Sequence, residues 1–127
     1  MLESLVYATM VDNGGLGEWA RTVIRRPHLA APHILPAEVA NALRRSEIDG
    51  AISKEAAALS MRDLVDLRVH LFPFESVADR VWELRGNLSA YDAWYVALAE
   101  SLETDLITLD RRLAKAPGPR CSFVVPE

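Results

Sequence analysis

Short apolar runs alternate with longer segments of helical periodicity along this chain, and that alternation limits it to a layered α/β fold. LAAPHIL (29–35), RVHLFPF (68–74), DLITLD (105–110) and CSFVV (121–125) read as strands. Between them lie segments with helix start and stop signals. Pro36 suits the first position of a helix over 36–50 that Gly50 closes. Ser53 can cap a helix over 54–67, Ser76 one over 77–86 that ends at Gly86, and Ser89 one running to about Glu103. RRLAKA (111–116) is a helical turn or two. Upstream, SLVYATMV (4–11) leaves helix and strand both open, VDNGG (11–15) is a turn, and Leu16, Trp19, Ala20, Val23 and Ile24 mark a helix over 16–26 that Pro27 ends. Strands joined through helices predict a mostly parallel sheet, with chemistry gathered at its carboxyl edge.

The 127 residues suit one domain, 1–127, which at this size buries roughly two-thirds of its unfolded surface and needs no staple. Cys121 is the single cysteine, so neither an internal disulfide nor a thiolate zinc site can form. No apolar run approaches the roughly 18 residues of a membrane span, and the start carries Glu3 with no basic leader, so a soluble cytoplasmic protein is expected. A formal net charge of −4 excludes a general nucleic-acid coat. An enzyme that grips one phosphate through a cation stays open.

Three carboxylates stand where strands meet helices. Glu38 follows the run at 29–35 in the first turn of its helix. Asp92 sits in the first turn of the helix that Ser89 caps, between Tyr91 and Trp94. Asp110 closes DLITLD. Each has a structural explanation: an acid in a first turn gains about 0.3–1 kcal/mol from the helix dipole, Ser89 and Asp92 form a capping box, and Asp110 can cap the turn that follows. Together they suggest a second role. Acids converging in a crevice repel and raise one another's proton affinity, and a hard divalent cation relieves that repulsion. Magnesium suits oxygen ligands, and it polarises phosphoryl oxygens and activates water.

LPAEVANALRR (35–45), LSAYDAWYVALAE (88–100) and LITLDRRLAKA (106–116), in that order, resemble the PIN domain, and in particular the VapC-type toxins of bacterial toxin–antitoxin pairs. The resemblance runs from about Leu16 onward. It implies a three-layer α/β/α sandwich around a parallel sheet. It also implies a magnesium- or manganese-dependent endoribonuclease, toxin of a VapBC-type pair, homodimeric and inhibited by a VapB-like antitoxin. Position by position, Glu38, Asp92 and Asp110 correspond to the second, third and fourth family acids. Asp92 is then the direct metal ligand, with Glu38 and Asp110 acting on the metal through water or positioning the attacking water. Thr108 corresponds to the hydroxyl residue near the last acid, and Arg111 and Arg112 are candidates for phosphate contact.

The resemblance breaks at the start of the chain. The family opens with a central strand ending in an Asp that is the principal metal ligand. Aligning Ser4 with the family serine puts Leu2 at that position. Glu3 is the nearby acid and a tentative metal ligand, although neighbouring strand residues face opposite sides of a sheet. Three accounts compete: the natural protein begins further upstream, the chain is altered or shortened, or this is a degenerate member. The last admits an alternative function, a weakened or inactive PIN-like module that dimerises and binds an antitoxin. A phospho-acceptor receiver domain would need an acid pair after its first strand and a lysine after its last, and neither is present.

The remaining polar and aromatic residues have plain roles. His28, His33 and His70 share no ligand spacing and read as partly exposed structural histidines. Trp19, Trp82 and Trp94 fall on apolar helix faces and are expected in the core, with base stacking by Trp94 as a minority role. Cys121 is expected as a small core residue. The apolar stretch 56–72 serves the core, a dimer or an antitoxin groove. The pairs Arg25–Arg26, Arg44–Arg45 and Arg111–Arg112 read first as solvated helix ends.

Overall fold

Pro32 restricts Ala31 to extended backbone, and β1 (Ala30–Pro32) forms there with Ala31 fully buried. The computed structural model describes residues 29–108 and 110–125. The expectations for 4–11 and 16–26, with Glu3, Trp19 and His28, lie outside the described residues.

After β1 the chain turns into α1 (Leu35–Ile48), with Pro36 in the first turn, where a missing N–H leaves no helical bond unmade. Leu35, Val39 and Leu43 recur every fourth residue and are buried. Gly50 follows with a φ of +78°, a left-handed conformation suited to ending a helix. The Ser53 hydroxyl accepts from Ala56 N at 3.0 Å and starts α2 (Lys54–Val65), two residues shorter than expected. β2 (His70–Phe72) lies parallel to β1, pairing Ala31 with Leu71, and Pro73 stops it.

Ser76 does not cap a helix over 77–86. A 3-10 turn already runs through Phe74–Val77, and the Ser76 hydroxyl donates back to Pro73 O at 2.9 Å. Only then does α3 (Ala78–Glu83) begin, followed by a second 3-10 turn at Leu84–Gly86. The extended Pro73 starts the turn early, so Ser76 falls inside it. Trp82 also departs from expectation. Val77, Val81 and Leu84 take the inward face, and Trp82 is 67% exposed, its ring lying 4.5 Å from the Arg85 guanidinium carbon.

α4 (Ala90–Ser101) is the most buried helix among the described residues. Ala93, Tyr95, Val96, Ala97, Leu98 and Ala99 are all buried, as in a helix covered on most sides. It packs closely on α3 and also touches β1 and β3 (Leu106–Ile107). β3 leads to α5 (Arg111–Ala114), and β4 (Phe123–Val124) returns parallel to β3. Among the described residues the strands form two parallel pairs, β1–β2 and β3–β4. Helices on short parallel strands make an α/β architecture compatible with a three-layer sandwich.

One ion pair ties the C-terminal segment to this frame. Arg80 on α3 grips Glu100 on α4 through its Nε and Nη2, and Nη2 also donates to Gly118 O at 2.9 Å. The second Glu100 oxygen accepts from Arg120 N at 2.7 Å. Gly118 has a φ of +108°, and a Cβ there would stand 3.2 Å from a Leu84 methyl, so both backbone and space favour glycine.

Candidate metal centre

Asp92 enters the site from the first turn of α4. Ser89 caps that helix by accepting from Asp92 N at 3.1 Å, as its spacing predicts. Of the flanking aromatics, Tyr91 is exposed, whereas Trp94 is half-buried and set edge-on against Phe74, with ring centroids 5.2 Å apart. That contact occupies the Trp94 ring in packing and leaves base stacking without support.

Asp110 comes from the loop after β3. Its Oδ1 accepts from Arg112 N at 2.9 Å and Leu113 N at 3.3 Å, so it is the N-cap of α5. Thr108 is fully buried, and its hydroxyl accepts from Asp110 N at 2.9 Å. The Thr108 hydroxyl supports the turn that presents Asp110. Arg111 and Arg112 are exposed in the first turn of α5, next to that acid.

Asp92 senses the charge of Asp110. Partial burial first, and then the negative charge of Asp110, raise the proton affinity of Asp92 above that of an ordinary aspartate. Both acids also serve helix ends, Asp92 in the first turn of α4 and Asp110 as the N-cap of α5.

Glu38 reaches its place from α1. Its Oε1 accepts from the Tyr95 hydroxyl at 2.7 Å, and Tyr95 stands three residues beyond Asp92 on α4. This bond lay outside the sequence expectations. A buried tyrosine hydroxyl needs a polar partner, and that requirement was the available signal. His33 and His70 are exposed, and Cys121 is partly buried against the core with its thiol held protonated by burial.

Among the described residues no group of three or more His, Cys, Asp or Glu side chains is close enough to hold a metal ion. The donors still suit a hard cation. Asp92 and Asp110 offer carboxylate oxygens, and magnesium commonly binds through one or two carboxylates and waters. A cavity of about 430 Å³ between β1–β2 and β3 is not this site, because its lining includes none of the three acids.

Short parallel strands flanked by helices, with acids at the strand–helix junctions, define an α/β protein of the PIN type. The PIN domain family model matches residues 4–119. Ribonuclease VapC1 of Mycobacterium tuberculosis is 39% identical over 97% of both chains. VapC ribonuclease Mb0985 of Mycobacterium bovis is 37% identical over 96% of this chain and 93% of its own. Ribonuclease VapC12 of M. tuberculosis is 33% identical over 75% of this chain and 74% of its own. The chain belongs to the PIN domain family, in its VapC branch.

Proposed function

We propose that this protein is a divalent-metal-dependent endoribonuclease that hydrolyses RNA phosphodiester bonds, the toxin of a VapBC-type pair acting in the cytoplasm. The observation that carries the reading is the near-full-length likeness to proteins named ribonucleases, and the carboxylates of Asp92 and Asp110 at helix starts are in keeping with it. Asp92 and Asp110 would hold magnesium or manganese, with Glu38 acting through a bound water from the side of α1. A bound cation of this kind supplies Lewis acidity toward the phosphate and lowers the pKa of a coordinated water. The chain's own residues fix the acids through helix ends and a buried hydroxyl, and Arg111 and Arg112 offer positive charge for the RNA backbone. Purified protein should cut RNA with magnesium or manganese and stop in EDTA. Asp92→Asn should lower the rate by about 100-fold or more. Cleavage that persists in EDTA or in Asp92→Asn would overturn the reading.

A second reading has a specific motive. Leu2 stands where the family's opening acid belongs, which favours a weakened module that dimerises and binds a VapB-like antitoxin without cutting RNA. Calorimetry with manganese separates the two, because such a module need show no affinity in the millimolar range. For either reading, Met61, Val65 and Leu71 supply exposed apolar surface along a groove of about 370 Å³ on α2 and the segment after it, which suits a protein partner.

A further inference from the structure

We propose that Tyr95 is the positioning residue of Glu38, fixing the α1 acid relative to Asp92. The inference rests on the reading that Glu38 belongs to the metal centre. Tyr95 is only 1% exposed, and its ring is held in the core of α4. Its hydroxyl donates to Glu38 Oε1 at 2.7 Å, the length of a charge-assisted bond between a hydroxyl and a carboxylate.

The geometry has a consequence beyond satisfying the phenol. Glu38 and Asp92 lie on different helices, 54 positions apart in sequence. A glutamate side chain has three rotatable bonds, and the Tyr95 hydroxyl restrains where its carboxyl group stands. Tyr95 sits three residues after Asp92, so both point to the same side of α4. One turn of a rigid helix thereby sets where the α1 carboxylate stands with respect to the α4 carboxylate. The neighbouring Val39 is fully buried, so α1 is anchored beside the bond. Partners that orient metal ligands in this way commonly change metal affinity by about 10- to 100-fold when removed.

The test measures manganese binding by calorimetry and electron paramagnetic resonance, with thermal unfolding in parallel. Tyr95→Phe keeps the ring and removes the hydroxyl. It should weaken manganese binding about 10-fold and alter the spectrum of the bound ion. Glu38→Gln should weaken binding at least as much. The double variant should bind no worse than Glu38→Gln alone, because Tyr95 acts through Glu38. If Glu38→Gln weakens binding and Tyr95→Phe leaves it unchanged, the inference fails and the metal reading stands. If the double variant loses a further 10-fold, Tyr95 acts by another route and the inference also fails. Normal binding by Glu38→Gln removes Glu38 from the centre and the inference with it, while Asp92→Asn reports separately on the centre.

Discussion

Arg80 Nε donates to Glu100 Oε1 at 2.7 Å, joining α3 to α4 through a carboxylate that also receives the backbone N–H of Arg120. Burial raises the Glu100 pKa, but the Arg80 hydrogen bond and the Arg120 N–H more than offset it, so the group is held below the ordinary glutamate value. A carboxyl group lowered on folding stabilises the native state above its unfolded pKa. That contribution disappears as pH falls through the lower folded value. Unfolding measured by urea titration should therefore show stability declining below about pH 4. Glu100→Gln should remove part of that decline and cost about 1.5–3 kcal/mol at neutral pH, the range for hydrogen bonds to charged groups.

Asp92 has the opposite sign. Its pKa is raised by burial and by Asp110, so the ionised form disfavours the folded state at neutral pH, and that penalty is relieved as pH falls through the raised value. Asp92→Asn removes the repulsion but also a favourable helix-dipole term of about 0.3–1 kcal/mol. In EDTA its stability should lie within about 1 kcal/mol of the parent, measured by urea titration, while manganese binding is lost. A large destabilisation would mean that Asp92 is chiefly structural.

Asp110 carries a cap and a charge that two substitutions can separate. Asp110→Asn keeps an oxygen for Arg112 N and Leu113 N, so stability should change little while manganese affinity drops. Asp110→Ala should lose the same affinity and, in addition, about 1 kcal/mol of stability. Calorimetry with parallel thermal unfolding distinguishes them.

Met61 and Val65 lie one helical turn apart on α2 and are both exposed. Changing both to Glu should weaken self-association or antitoxin binding about 10-fold or more, read by analytical ultracentrifugation, and leave manganese binding unchanged. Intact association would move the partner surface elsewhere.

The three segments carrying Glu38, Asp92 and Asp110, and the caps at Ser53, Ser89 and Asp110, were legible because they depend on local chemistry. A hydroxyl or carboxylate satisfies a free N–H two or three residues away whatever the rest of the chain does. Ser76 misled because Pro73 had already begun a turn. Trp82 misled because, on so short a helix, Val77, Val81 and Leu84 already fill the inward face.

By itself, the sequence determined the alternation of elements, the helix ends and the three acids, since these follow from spacing within a few residues. Tertiary structure alone decided which distant groups meet. Tyr95 with Glu38 and Arg80 with Glu100 are separated by 57 and 20 positions. Their pairing depends on how helices pack, which no local pattern encodes. The field of Asp110 on Asp92 has the same origin, because charge interaction depends on distance and on water excluded from between the groups.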